Sequence, residues 1–360
     1  MKPYFEISKK VVLDNYNKLL SFADVISYST KTNQIITKIL EKNTDCFFSV
    51  HFTNELKHIE DMSRVIFLAQ GWNNEEIKSL LALGISRFIV DNEFDLDIVI
   101  KYLEQSNVKN KIGLMLRLKL KERTVKTEKC FVFGMKSKVI NDRVRQIRTN
   151  KLLDGKINML GVHFHRKTQN MAEWNLKYEL SNILEEDVLK MLDILNIGGG
   201  IPSKYANVNL NVIPGIINKI NDFKDYLHEN NIKLMVEPGR FIAGSAGKLI
   251  TEVIGIHENN IIVNASVYNT NLDALIVPVK LCVKDEYSKE EAQNNKDIKS
   301  YTIKGSTPCS FDLFRYRVYL KEVNVGDELI FVNAGAYNFT TDFCDLEKLE
   351  TKIVEDFGNE

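Results

Sequence analysis

Over the first 240 residues, short apolar runs alternate with stretches in which apolar residues recur three and four positions apart. The runs predict strands near Val25–Ser29, Cys46–Val50, Val65–Ala69, Arg87–Val90, Gly113–Leu118, Leu160–His165, Leu195–Gly198 and Lys233–Glu237. Between them, Gln34–Glu41, Asn54–Met62, Glu75–Leu83 and Ile216–Glu229 carry helical spacing. Strands separated by helices run parallel. About eight such units, spanning residues 11–240, predict a TIM-type (β/α)8 barrel; an open doubly wound sheet would normally need fewer strands.

After Arg240 the helical spacing gives way to closely spaced β-type runs: Gly247–His257, Asn260–Val267, Ala274–Val283, Ser300–Gly305, Arg317–Glu322 and Glu328–Val332. They predict an antiparallel β domain over residues 241–360, joined by an N-terminal strand within residues 1–10. Lys284–Lys299 is charged and weakly apolar, which predicts a surface loop, and Thr351–Glu360 reads as a partly frayed tail.

Composition narrows the function. Forty-eight basic residues balance forty-eight acidic ones, so the footprint of a nucleic-acid or anionic-membrane binder is missing and a small-molecule ligand is expected. The five cysteines, Cys46, Cys130, Cys282, Cys309 and Cys344, are scattered without metal-ligand or disulfide spacing. With no apolar leader and no run long enough to span a bilayer, the expectation is a cytoplasmic protein without a metal site.

Polar chemistry collects at predicted strand ends, which in a parallel barrel ring one mouth. Lys31 follows Val25-Ile-Ser-Tyr-Ser; a lysine there forms a Schiff base if its amine is desolvated, and is otherwise an ordinary solvated lysine. Gly198-Gly199-Gly200 lets backbone approach an anion, or simply makes a tight turn. Glu237 and Arg240 read either as a pyridine-nitrogen partner with a phosphate fork or as a surface ion pair. His163 and His165 share one strand face.

Taken in order, these motifs resemble the alanine-racemase-fold, pyridoxal 5′-phosphate-dependent enzymes, within them the ornithine/diaminopimelate/arginine decarboxylase group. Ser29-Thr-Lys31-Thr-Asn33 resembles the family's cofactor-lysine motif, and Gly161-Val-His-Phe-His165 its ring-stacking histidine. Gly198–Gly200 resembles the phosphate loop, and Glu237-Pro-Gly239-Arg240 the pyridine-nitrogen glutamate with a phosphate ligand. Gly335-Ala-Tyr337 resembles the phosphate-binding tyrosine, and Arg117 an arginine near the cofactor's phenolic oxygen, although a structural arginine fits there equally. Relatives carry Gly-Ser after the histidine motif; this chain has Arg166-Lys-Thr168, and Thr168 is the remaining hydroxyl for the phosphate.

The resemblance also implies a head-to-tail homodimer with active sites at the interface. Ser306-Thr-Pro-Cys309-Ser-Phe-Asp312 is similar to the segment that reaches the other subunit's site, making Cys309 the donor of a proton to Cα and Asp312 a support for substrate. Pro308 and Ser310 depart from the usual pattern, and a buried structural cysteine is the alternative. The implied reaction is decarboxylation of an α-amino acid through a Lys31 Schiff base, giving CO2 and an amine. Racemases of this fold carry an arginine where Glu237 stands, so racemization ranks second and a non-catalytic relative, regulatory or a carrier of the cofactor, third. Relatives fix their substrate with a charged residue at the position of Val277; Asp273 is the nearby substitute, or else the substrate's distal group is uncharged or larger.

Overall fold

The computed structural model describes residues 1–106, 111–120 and 132–358; Cys130 lies outside them. Its strands are β1 (Tyr4–Ser8), β2 (Val25–Ser29), β3 (Phe47–Val50), β4 (Val65–Ala69), β5 (Arg87–Val90), β6 (Ile112–Arg117), β7 (Ile157–His163), β8 (Ile194–Asn196) and β9 (Lys233–Val236). They continue with β10 (Gly247–His257), β11 (Asn260–Val263), β12 (Cys282–Val283), β13 (Lys299–Lys304), β14 (Leu313–Leu320), β15 (Glu328–Val332) and β16 (Glu350–Val354). By compactness the chain divides into Tyr16–Pro202 with Asn211–Gly239, and Met1–Asn15 with Ser203–Leu210 and Arg240–Glu360.

In the first unit β2 to β9 close in chain order into the expected parallel barrel. β2 completes the ring against β9 through Val25↔Met235 and Ile26↔Val236. Parallel strands covered on both faces need apolar side chains in both directions, which is why these runs are continuous rather than alternating. Ile66, Ile89, Met115, Ile194 and Met235 pack together as one buried cluster. Gly161 makes the space: a Cβ there would lie 2.5 Å from Ile194 Cγ2 and 3.0 Å from Met115 Cγ.

Asparagine launches three of the barrel helices. The Oδ1 atoms of Asn33, Asn73 and Asn92 accept from Ile35 N at 3.0 Å, Glu76 N at 2.9 Å and Asp95 N at 2.9 Å, satisfying amides that have no partner inside the helix. The helix expected at Asn54–Met62 is instead a pair of 3-10 turns, Thr53–His58 and Met62–Arg64. Asp61 breaks the run by accepting from Ser63 N at 3.0 Å and starting the second turn afresh.

The second unit is a sheet in the order β12-β15-β10-β11-β13-β14, with β1 paired to β10 and to β16. It is mixed rather than antiparallel, because β1 and β16, and β11 and β13, run parallel. The expected frayed tail contains β16, held along its length by β1 from Tyr4↔Glu350 to Ser8↔Val354. The expected strand Ala274–Val283 survives only as β12; before it, Asp273–Ile276 is a helical turn closed by Val277 N donating to Asp273 O at 2.7 Å. Lys284–Lys299, expected as a loop, holds a short helix, Lys289–Asn294, started by Ser288. Phe314 and Phe331 stack at 4.6 Å between centroids in the core of this unit. Burial of each such side chain is worth about 1.5–3 kcal/mol.

Candidate active site

The barrel mouth is built from residues at or just beyond the carboxyl ends of its strands, where loops of this fold carry function. After β2 the chain makes a 3-10 turn, Thr30–Thr32, whose two threonines are buried and whose central residue is Lys31. Thr30 Oγ1 ties the turn down, donating to Ser49 O at 3.1 Å and meeting the Glu55 carboxylate. Asn33 then caps the next helix, so Lys31 is carried on a short, anchored stalk. Lys31 itself is exposed. The surrounding walls nevertheless withdraw water from the amine and lower its pKa; Glu237 and Glu55 oppose that shift and Arg117 adds to it.

Glu237, the residue after β9, is buried at 7% exposure. Its Oε1 accepts from Ser49 Oγ at 2.8 Å and its Oε2 lies 3.1 Å from His163 Nε2. Ser27 Oγ is 2.7 Å from Ser49 Oγ behind it. Burial alone would favour the protonated acid, but His163 and Ser49 overcome it and hold the carboxyl well below the usual range. Glu237 is therefore an anion whose two oxygens are engaged by the Ser49 hydroxyl and the His163 imidazole.

His165 and the glycine loop interlock. Gly199 N donates to His165 Nδ1 at 3.1 Å, which leaves the ring proton on Nε2. Burial, followed by the proximity of His163, lowers the His165 pKa. Gly198 N donates to Asn196 Oδ1 at 2.9 Å. Two of the three glycine amides expected to face a phosphate are thus spent within the protein, and close packing explains the glycines instead. A Cβ would sit 2.5 Å from Phe164 O at Gly198, 2.8 Å from Glu237 O at Gly199 and 2.7 Å from Lys167 O at Gly200, where φ is +96°. Gly239 is likewise a packing residue, since a Cβ there would be 2.3 Å from Thr32 Oγ1.

Arg117, at the end of β6, pairs with Asp91 at 2.8 Å and covers the Phe133 ring at 4.9 Å. Where relatives carry Gly-Ser, Arg166 is buried and directed to Glu179 at 2.6 Å, leaving Thr168 half-buried on the same loop. His51 is the mouth residue that sequence reasoning missed. Its pKa is pushed down to about 3, first by burial and then by Lys31, and its buried Nδ1 has no hydrogen-bond partner among the described residues. The signal was present in Ser49-Val-His51, a polar pair closing an apolar strand like the other motifs.

The remaining expected residues lie in the β unit. Arg240, expected as a free phosphate fork, is spent: Nη2 donates to Asp273 Oδ1 at 3.2 Å, Nη1 to Asp273 Oδ2, and Nη1 to Tyr205 Oη at 3.1 Å. Tyr337, half-buried with φ of 58°, lays its ring 4.6 Å from the Arg240 guanidinium carbon. This pairing also removes Asp273 as a ligand for substrate. Asp312 anchors its segment rather than facing a substrate: Oδ1 accepts from Val267 N at 2.9 Å, and Oδ2 from Thr307 N at 3.0 Å and Thr307 Oγ1 at 2.7 Å. The two-carboxylate-oxygen anchor presents Cys309, whose Sγ lies 3.1 Å from Tyr268 Oη; that hydrogen bond lowers the thiol pKa.

The family described as "Pyridoxal-dependent decarboxylase, pyridoxal binding domain" matches residues 13–244. This chain belongs to the pyridoxal-dependent decarboxylases. Its cofactor is accordingly pyridoxal 5′-phosphate, and the family is one of amino-acid decarboxylases. The diaminopimelate decarboxylase of Aquifex aeolicus is 24% identical over 77% of this chain, a stretch that spans just under two thirds, 66%, of that protein. Antizyme inhibitor 2 of Xenopus laevis is also 24% identical, over 86% of this chain and 71% of that one. The solved Helicobacter pylori diaminopimelate decarboxylase superposes with a TM-score of 0.79 at 20% identity, covering 99% of this chain and 92% of that one. For the Vibrio vulnificus lysine/ornithine decarboxylase the values are 0.78, 19%, 99% and 95%, a likeness of fold.

The mouth fits the cofactor by its own chemistry: a reachable, desolvated amine on Lys31, a buried anionic carboxylate on Glu237, and a neutral imidazole on His165 are the groups an aldehyde-bearing pyridine ring requires.

Proposed function

We propose that this protein decarboxylates an α-amino acid, with Lys31 as the residue that takes the cofactor covalently. When bound, the cofactor supplies an aldehyde for the lysine amine and a ring that draws electrons from the substrate. Lys31 would hold it, His165 would lie against the ring, Glu237 would meet the ring nitrogen, and Arg117 and Thr168 would contribute polar contacts. The single observation that carries this reading is Glu237: a buried carboxylate kept anionic by Ser49 and His163 keeps a proton on a facing pyridine nitrogen. An arginine there would disfavour that proton, which is why decarboxylation is preferred to racemization.

Two finer points follow. The substrate's distal group is uncharged, because Val277 is neutral and Asp273, the nearby alternative, is held by Arg240. The enzyme is a head-to-tail homodimer of the cytoplasm in which the Cys309 segment serves the neighbouring subunit; the free thiols of Cys46, Cys282, Cys309 and Cys344 accord with a reducing compartment.

Borohydride reduction of cofactor-loaded protein should tag the peptide carrying Lys31, and Lys31→Ala should lose the tag and reduce turnover by at least about 10³-fold. A panel of L- and D-amino acids should release CO2 from a substrate with an uncharged side-chain end. Optical inversion without gas would replace the decarboxylase by a racemase, and full turnover by the alanine variant would dismiss the covalent role of Lys31.

A further inference from the structure

His163 is not the histidine that the motif assigns to the ring; that role falls to His165, two positions on. It is nevertheless the most deeply placed titratable group at the mouth, at 1% exposure. β7 ends on it, in register with Arg117 on β6 and Asn196 on β8. From there Nε2 reaches Glu237 Oε2 at 3.1 Å, while its buried Nδ1 has no hydrogen-bond partner among the described residues. An anionic carboxylate only accepts, so the proton on the imidazole is the one on Nε2. The other carboxylate oxygen takes the Ser49 hydroxyl at 2.8 Å, and Ser27 donates to Ser49 at 2.7 Å.

Each carboxylate oxygen has two lone pairs in its plane, and here one on each side is fixed by a donor from a different strand. The carboxylate plane cannot rotate without breaking one of these bonds, and protonating it would set an O–H donor against one of the two donors. Lys31, His51, His165 and Arg117 are further basic groups that face this cluster; Glu55 is a further acidic one near Lys31. Among the described residues, the side chains bonded directly to Glu237 are those of Ser49 and His163.

We propose that His163 is a positioning residue for Glu237: with Ser49 it clamps the carboxylate in one orientation as an anion, and the grip of Glu237 on the cofactor's ring nitrogen depends on that clamp. This rests on the reading that Glu237 meets the ring nitrogen. His163 touches neither substrate nor cofactor in this role; it acts through Glu237.

The test compares the dissociation constant of pyridoxal 5′-phosphate with that of its carbocyclic analogue, in which the ring nitrogen is replaced by C–H. Contacts to the phosphate and to Lys31 are common to both ligands and cancel in the ratio, so a merely structural loss leaves the ratio unchanged. The natural protein should prefer the nitrogen-containing ring. His163→Phe should shrink that preference about tenfold, His163→Gln, which keeps an N–H donor, should restore most of it, and Ser49→Ala should cost about threefold. An undiminished preference in both His163→Phe and Ser49→Ala would overturn the proposal, and if His163→Phe fails to fold, Ser49→Ala and His163→Gln decide it by the same ratio. If the natural protein itself showed no preference, the contact between Glu237 and the ring nitrogen would fall, and the clamp proposal with it; trapping at Lys31 would still report on the decarboxylase reading separately.

Discussion

Glu237 and Asp273 are both buried carboxylates, and the protein treats them in opposite ways. Asp273 faces a guanidinium that closes on it with both nitrogens, and Tyr205 and Tyr337 seal the pair. Glu237 is bonded instead by a hydroxyl and an imidazole. Burying a charge without a matched opposite charge is expensive, so a fold that merely needed a filled position would put an apolar residue there. Asp273 finishes its work when the chain folds. On the proposed reading, Glu237 is kept ready for the cofactor's ring nitrogen.

The sharpest way to break this contrast is to neutralize each carboxylate in turn. Asp273→Ala leaves Arg240 charged and buried with its main partner gone, and should cost about 3–5 kcal/mol in denaturant unfolding. Glu237→Gln should move stability by about 1 kcal/mol or less, since an amide can still accept from Ser49, while cofactor-dependent turnover collapses. Equal stability losses in the two variants would erase the distinction.

Acid offers a second, smaller lever. The folded pKa of His51 is pushed from the ordinary 6.5 down to about 3. Between those values the unfolded chain binds the proton and the folded chain does not, so stability falls as pH drops through this window. The depressed carboxyl of Glu237 adds in the same direction below the usual carboxylate pKa, because there too the unfolded state is the better proton binder. His51→Gln should flatten the decline in melting temperature between about pH 6.5 and 3. An unchanged slope would mean that His51 is protonated in the folded state.

The smallest expected effect concerns the stalk under Lys31. Asn33→Ala removes the cap accepted by Ile35 N and should cost about 1 kcal/mol, read by chemical unfolding. Because Asn33 also sets the end of the turn that carries Lys31, trapping by borohydride should slow as well; a stability loss with unaltered trapping would confine Asn33 to capping.

The barrel was legible because parallel strands covered on both faces announce themselves as unbroken apolar runs, and because their motifs fall at the same end of each run. The β unit was less so. β16 is half exposed, its pattern is weak, and what makes it a strand is β1, nearly the whole chain away. The helical turn at Asp273–Ile276 looked like the start of a strand because DALIV is apolar enough for either, and the capture of Asp273 by Arg240, 33 residues distant, has no local trace. In the mouth, Lys31, His165 and Glu237 were visible as residue types at strand ends. Their partners were not: that Ser49 and His163 meet on Glu237 follows from curling β3, β7 and β9 around one axis, which only closure supplies.

The pairing of β1 with β10 and β16 carries a consequence for synthesis. The second of these neighbours is made from residues 350–354, so β1 must wait until those residues have followed it out of the ribosome before its second edge is covered. The barrel strands are complete by residue 236 and can close while translation continues. The sheet of the second unit is finished only after residue 354 has been made.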